Sequence, residues 1–97
     1  MFKLIIKPFA EHDATDATSW YNKHRDGLGD EFLLSLEAKI NAIQRNPGQF
    51  KVVYKGIRRA LTERFPFGIY FIIEDNTIYI LAIIHTSRHP IVWKKRK

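Results

Sequence analysis

The chain has 97 residues, of which 45% are apolar and 13% aromatic, enough for one hydrophobic core but not for two. It contains no cysteine, which excludes disulfides, thiolate catalysis and zinc sites with sulfur ligands. Its net charge of +6 is unevenly distributed, because residues 1–49 carry six Lys/Arg and seven Asp/Glu (−1) whereas residues 50–97 carry ten and three (+7).

A short strand and a helix are predicted at the start of the chain. Residues 2–7 combine apolar and β-branched side chains with two lysines, which is typical of a strand. Pro8 ends this strand and suits the first position of a helix. Apolar residues then recur at helical spacing and predict a helix from Phe9 to about His24: Ala10, Ala14, Ala17 and Tyr21.

A second helix is predicted after a turn at residues 26–29. It runs from about Asp30 to Arg45, with Gly29 as its cap and Pro47 as its stop. The short link containing glycine predicts a helical hairpin. The apolar stripe of this helix is expected to face the core: Phe32, Leu36, Ile40 and Ile43.

The chain after Asn46 is predicted to form β-structure. Four candidate strands cover residues 50–54, 57–64, 67–74 and 77–85, and Asp75-Asn76 forms a hairpin turn between the last two. The strands are expected to add Ile72, Ile80 and Ala82 to the core. Lys94 to Lys97 is predicted to be a frayed, solvated tail.

The order of these elements predicts an α+β fold in a single domain covering residues 1–97. An N-terminal strand precedes a helical hairpin, and the hairpin packs on an antiparallel sheet. The last strand is apolar on both alternating faces, of which the hairpin can cover only one. The chain's own tail, a second copy or a partner must cover the other. One face carries Ile78, Ile80, Ala82 and Ile84, and the other carries Tyr79, Leu81 and Ile83.

Location and ligands are predicted from what the sequence lacks. We see no signal-peptide pattern and no apolar run as long as a membrane span, so we expect a cytoplasmic protein that does not enter a membrane. Pro90 opposes a helix across His85 and His89, so these two residues lack metal-ligand geometry. We expect no metal and no cofactor. The basic second half predicts a surface for phosphate groups or for an acidic protein, the alternative being a solvated face that only aids solubility.

Several short segments stand in a characteristic order along nearly the whole chain. They are Trp20-Tyr21, Gly27-Leu28-Gly29 with Phe32-Leu33, Asn46-Pro47, Arg58-Arg59, Arg64-Phe65-Pro66-Phe67 with Ile69-Tyr70, and Leu81-Ala82-Ile83-Ile84-His85 with Arg88, Pro90 and Trp93. Taken together, these segments resemble the RelE/ParE toxin superfamily and are most similar to its ParE-like branch. The resemblance implies the toxin of a type II toxin–antitoxin, or plasmid-stabilisation, system, with an antitoxin as partner and a hetero-oligomer or a homodimer as its assembly.

The resemblance implies one of two targets. RelE-like toxins cut messenger RNA in the ribosome, whereas ParE-like toxins inhibit DNA gyrase and are not regarded as nucleases. In the RelE pattern an arginine follows the aromatic residue that enters the penultimate strand, and a tyrosine lies near the C-terminus. Here these positions hold Gly68 and Trp93. We therefore predict a gyrase inhibitor that acts by binding and is not an enzyme, with a metal-independent, ribosome-dependent endoribonuclease as the alternative.

Six residues are predicted to bind the antitoxin or the target: Arg58, Arg59, Arg64, His85, Arg88 and Trp93. If the chain is a ribonuclease, His85 is the residue that can transfer a proton, while Arg64 and Arg88 hold the phosphate. The alternative for each residue is a structural role. The arginines would then be exposed or paired with Glu63 and Glu74, His85 hydrogen-bonded near Arg88, and Trp93 packed in the core.

Overall fold

Two long helices and a five-stranded sheet make up the structure, a computed structural model that describes residues 1–97. No helix has both the length and the apolar character needed to cross a membrane. In chain order the elements are β1 (Lys3–Ile6), α1 (Pro8–His24), α2 (Leu28–Arg45), a 3-10 turn (Pro47–Gln49), β2 (Val52–Tyr54), β3 (Ile57–Leu61), β4 (Phe67–Glu74), β5 (Thr77–His85) and a short helix α3 (Ile91–Lys94).

The strands lie in the order β1-β5-β4-β3-β2. The last four pair antiparallel, as predicted for residues 50–86. β1 joins the sheet at its edge and runs parallel to β5, with Leu4 opposite Ile78 and Ile6 opposite Ile80. The sheet is therefore mixed, and the α+β fold with its helical hairpin is confirmed.

The second helix begins two residues earlier than predicted. Gly27, with a φ of 83°, is the residue before its first turn, so Gly29 lies inside the helix and is not its cap. Gly29 is required because α1 approaches closely: a Cβ there would lie 2.3 Å from the carbonyl oxygen of Thr18 and 2.6 Å from the side chain of Asn22. The amide of Gly29 also donates a hydrogen bond of 2.7 Å to Asn22 Oδ1, which joins the two helices.

The main core lies between the helical hairpin and the sheet. The predicted helical stripe is confirmed, since Phe32 and Ile43 are fully buried and Leu36 and Ile40 are at most 9% exposed. Ile80 is buried in the same cluster. Ile72 and Ala82 instead belong to a second apolar cluster on the opposite face of the sheet, where Ala82 is buried and Ile72 half-buried.

A β-bulge in β5 explains why Ala82 lies on the opposite face. Tyr70 pairs with Ala82 and Phe71 pairs with Ile80, so Leu81 is an extra residue in this strand. The alternation predicted for β5 is therefore correct only up to Ile80. Beyond the bulge, Ile83 faces the helices, while Ala82 and Ile84 face away from them.

The chain's own C-terminal segment covers this second face. Trp93 of α3 is 5% exposed and stacks on Tyr70, with ring centroids 4.5 Å apart and an interplanar angle of 15°. The segment after Trp93 is also held in place, contrary to the predicted frayed tail, because Arg96 bonds to Asp13 and Lys97 bonds to the carbonyl of Lys55.

The Asp13–Arg96 ion pair completes the edge of β5 beyond the point where β1 ends. Pro8 starts α1, so β1 pairs with β5 only as far as Ile80. The next polar groups on this edge are satisfied by side chains: Asp13 Oδ2 accepts the amide of Ile83 at 3.0 Å, and Arg96 donates to the carbonyl of Leu81 at 3.3 Å. The side chains of Asp13 and Arg96 are only 12% and 16% exposed.

Asp13→Ala is expected to lower the free energy of unfolding by about 3 kcal/mol, because the change leaves Arg96 largely buried without a counter-charge and the amide of Ile83 without an acceptor. Chemical denaturation measures the loss. Asp16→Ala on the same helix removes an exposed carboxylate and is the control, with an expected change within about 0.5 kcal/mol. Equal losses in the two variants would show that the ion pair does not stabilise the edge.

Candidate functional site

An apolar groove opens where β4 begins and β5 ends, against the side of α1. It has a volume of about 330 Å³ and is lined by Ala17, Trp20, Tyr21, Phe67 and His85. We call it the α1 groove. It is an open surface feature with an exposed wall, because Trp20 is 56% exposed. A large exposed aromatic residue beside an apolar floor is typical of a surface that receives an anchor side chain from a partner.

The walls of the groove are held rigid by aromatic packing. Tyr21 contacts Phe65 edge-on, with ring centroids 5.0 Å apart, and also lies against Phe67 at 6.0 Å. Burial raises the pKa of the Tyr21 phenol above its ordinary value. Trp20 stacks on His24 at 3.8 Å, and Nδ1 of His24 donates a hydrogen bond to the carbonyl of Trp20.

His85 lies at one end of the groove, in contact with the ring of Phe67 at 5.4 Å. Its Nδ1 accepts the backbone N–H of Ser87 at 3.0 Å and lies 2.8 Å from the Ser87 hydroxyl. In the neutral ring the proton is therefore on Nε2. The turn after β5 thus fixes the orientation of His85. No three His, Asp or Glu side chains are grouped as metal ligands, either here or elsewhere.

The polar end of the groove is formed by charged residues of α1 and of the turn after β5. Arg88 is exposed and lines this end together with Asp13 and Asp16. Asp13 is engaged by Arg96, and Asp16 pairs with His12 in an exposed contact of 3.3 Å. Arg88 forms no ion pair, so it is the cation at this end that is available to an anionic partner.

Arg64 lies at the same end of the sheet, in the loop between β3 and β4. It adopts a positive φ of 69°, within a loop held by Thr62, whose hydroxyl donates to the carbonyl of Phe65 at 2.8 Å. Its partner is Glu31 of α2, at 2.8 Å, and not Glu63 or Glu74. A hydrogen bond from Arg64 is the main reason that the pKa of Glu31 is lowered from its ordinary value of 4.5.

Arg58 and Arg59 lie further along β3 and point to opposite faces of the sheet. Arg58 donates to the carbonyl of Phe50 at 2.7 Å and so supports the segment before β2. Arg59 is paired with Tyr70 in the ladder and lies half-buried on the face covered by α3. Its guanidinium forms no ion pair. The six predicted partner-binding residues therefore do not form one cluster.

Gly68 and Trp93 are both explained by the ring of Tyr70. A Cβ at Gly68 would lie 2.9 Å from this ring, so the absence of a side chain lets Tyr70 lie flat over β4. Trp93 stacks on the ring from above. We call these three residues the aromatic stack. Two of its residues, Gly68 and Trp93, stand at the positions where the RelE pattern has an arginine and a tyrosine.

The structure thus brings Arg64, His85 and Arg88 to one end of the sheet, while Arg58, Arg59 and Trp93 lie elsewhere. Sequence reasoning missed the participation of Trp20 and Tyr21 in the groove. A signal was available, because Trp20 is a large apolar residue outside the helical stripe that Ala10, Ala14, Ala17 and Tyr21 define. Such a residue on a helix faces solvent unless a partner covers it.

Comparisons with known proteins agree with the fold. The family model described as "ParE toxin of type II toxin-antitoxin system, parDE" matches residues 4–90. A solved structure described as the chromosomal ParDE TA system from P. aeruginosa superposes with a TM-score of 0.81 at 20% identity, over 90% of this chain and 98% of that chain. At this identity the likeness shows a shared fold. No curated protein matches the sequence significantly.

Gly68→Ala is expected to destabilise the protein by about 1–3 kcal/mol, because the new methyl group must displace the Tyr70 ring and with it Trp93. Chemical denaturation followed by tryptophan fluorescence measures both the loss and any exposure of Trp93. Gly48→Ala is the control, since a Cβ there has no neighbour closer than 3.9 Å. A stability of Gly68→Ala equal to that of wild type would mean that Tyr70 does not lie over this position.

The Arg64–Glu31 ion pair is expected to stabilise the fold above pH 4.5 and to lose its effect as the pH falls through the lowered pKa of Glu31. The sign follows because protonation is harder in the folded state than in the unfolded state. The difference in unfolding free energy between wild type and Glu31→Gln should therefore shrink in acid. Glu37→Gln, on the exposed face of the same helix, reports the effect of the charge change alone. A difference independent of pH would contradict the ion pair.

Proposed function

The chain belongs to the family of ParE toxins of type II toxin–antitoxin systems, and from this membership we propose that it inhibits DNA gyrase by binding and is neutralised by an antitoxin at the same surface. Its place of action is then the cytoplasm. The toxin class rests on the family match over residues 4–90. The target follows from the family resemblance, and the mode of action rests on the site.

The observation that carries a binding mechanism is the aromatic stack. RNA cleavage needs a proton acceptor, a proton donor and a cation around one phosphodiester. The stack fills two positions of the nuclease pattern with groups that transfer no proton, Gly68 and the Trp93 indole, and Trp93 is 5% exposed. His85 is then the one ready proton shuttle beside Arg88, and its Nδ1 is engaged by Ser87. This supports an inhibitor that is not an enzyme.

The α1 groove, with His85 in its lining and Arg88 at its polar end, is the surface we assign to gyrase and to the antitoxin. Arg64 lies apart from this groove, in a cavity that it lines together with Glu31 and Lys39 of α2. Apolar anchor sites rimmed by charges are typical of protein interfaces, in which a few aromatic residues carry most of the binding energy. Trp20 supplies the exposed aromatic wall, and Arg88 supplies a cation without an ion-pair partner. An acidic segment with an apolar side chain has the matching chemistry, and its binding would weaken with salt. Arg58, Arg59 and Trp93 remain predicted contacts outside this surface.

Trp20→Ala is expected to weaken inhibition of a purified bacterial gyrase at least tenfold in a plasmid supercoiling assay, since loss of an interface anchor costs about 2 kcal/mol. Because Trp20 is half-exposed, its removal should leave the unfolding midpoint nearly unchanged. Arg88→Ala should weaken inhibition less, and mainly at low salt. Val52→Ala, an exposed apolar change on the far edge strand, is the matched control and should inhibit like wild type.

The alternative target is tested by inducing the toxin in bacterial cells and mapping the ends of their transcripts. The proposal predicts that transcripts stay intact in these cells and that the purified toxin inhibits supercoiling by gyrase. Codon-positioned cleavage that disappears in His85→Ala, with gyrase unaffected, would make the ribosome-dependent endoribonuclease the right assignment. If both Trp20→Ala and Arg88→Ala inhibit gyrase as strongly as wild type, gyrase is still the target, but the α1 groove is not the surface that binds it.

A further inference from the structure

Lysine side chains from two distant parts of the chain converge on one side of α3. The Nζ atoms of Lys94 and Lys55 lie over the same ring, that of Tyr54, at 4.7 and 5.4 Å from its centroid. Lys97 Nζ donates a hydrogen bond to the backbone carbonyl of Lys55. Three ammonium groups are therefore held around Tyr54 and the turn between β2 and β3.

The backbone of this turn is shaped to admit them. Lys55 and Gly56 both have positive φ, 40° and 81°, so the chain reverses tightly after Tyr54. A Cβ at Gly56 would lie 3.1 Å from Lys97 Nζ. On the other side, α3 is fixed by Trp93, which is buried and meets Tyr54 edge-on at 6.4 Å. The folded parts of the protein, not a loose tail, thus define the positions of these lysines.

Two further cations lie on the opposite side of α3. Lys95 and Arg88 line a cavity of about 520 Å³ together with Phe9, Val92 and Arg96. The charge of Arg96 is already compensated by Asp13. We call the five remaining cations the α3 cation cluster: Lys55, Arg88, Lys94, Lys95 and Lys97. None of the five forms an ion pair in the structure, since the five ion pairs involve other residues.

We propose that the α3 cation cluster binds the phosphodiester backbone of a nucleic acid duplex through charge alone. Cations without ion pairs on both sides of one short helix create a positive potential around it, and this potential attracts an extended anion. Backbone phosphates are spaced along a duplex so that several cations can be neutralised at once, with release of counterions. This surface is distinct from the α1 groove, except that Arg88 borders both, and the proposal does not depend on gyrase being the target.

Phosphate fits the cluster better than an acidic peptide does. Four of the five cations are lysines, whose compact ammonium groups act as point charges and set little demand on anion geometry, which suits a backbone bound through charge alone. A docked peptide also needs apolar anchors. Beside Lys55, Lys94 and Lys97 the large apolar group is Trp93, which is buried, whereas the exposed Phe9 lies at the cavity lined by Arg88 and Lys95. Ile91 is the one large apolar residue of α3 that is exposed.

The test is fluorescence anisotropy with a labelled DNA duplex of about 20 base pairs, titrated with purified toxin between about 50 and 200 mM salt. No gyrase is present, so the result is separate from the proposed function. Wild type should bind in the micromolar range at low salt. In Lys94→Gln/Lys97→Gln the slope of log affinity against log salt should fall by about two, one for each lost phosphate contact. Lys94→Arg/Lys97→Arg keeps the charge and should keep the slope.

Lys3→Gln/Lys23→Gln is the matched control, because it removes the same charge from exposed positions outside the cluster. Thermal unfolding of each variant shows that it is folded. Equal losses of slope in the two glutamine variants would mean that net charge, not this cluster, attracts the duplex, and would overturn the proposal. So would tighter binding of a labelled poly-glutamate peptide than of DNA. Binding of an RNA duplex with the same slope would agree with recognition of phosphate.

Discussion

The edge of β5 is the constraint on which the rest of the structure depends. β1 can pair with only half of this strand, because Pro8 turns the chain into α1. The remaining backbone groups must find partners, since a polar group left unpaired in a largely buried edge is costly. Asp13 and Arg96 supply these partners and neutralise each other. One ion pair thereby joins α1, β5 and the C-terminal segment.

That attachment has a consequence on the opposite face of the sheet. Fixing Arg96 places the preceding α3 over β4 and β5, where Trp93 reaches the ring of Tyr70. Gly68 makes room for that ring, and the bulge at Leu81 turns Ala82 and Ile84 toward it. The sheet can therefore be apolar on both faces without a second copy or a partner, which answers the question raised by the sequence of β5. The same packing removes Gly68 and Trp93 from any role in proton transfer.

Features that depend on residues close together in the sequence were mostly predicted correctly, whereas features that depend on residues far apart in the sequence were missed. The bounds of the first two helices and of the last two strands were predicted well, because periodicity and proline positions are local signals, and β4 and β5 match to the residue. The short helix α3 was missed, and β3 ends at Leu61, three residues earlier than predicted. The bulge gave no signal, since residues on both sides of Leu81 are apolar. The Arg96–Asp13 and Arg64–Glu31 pairs join residues 83 and 33 positions apart, and only the folded chain brings them together. Gly29 was predicted to be a helix cap because a glycine is expected both at the start of a helix and where two helices approach closely, and the sequence does not distinguish the two.

The two surfaces proposed for this toxin meet at Arg88, which lines both the polar end of the α1 groove and the cavity beside α3. Trp20 belongs only to the groove, and Lys97 belongs only to the cluster. A protein partner in the groove and a phosphate backbone at α3 would therefore compete for one cation while their other contacts stay separate. Coupling through a single shared arginine is weak and depends on salt. A toxin bound to a protein can then also hold nucleic acid close to it, because most of the charge of the cluster stays free when the groove is filled.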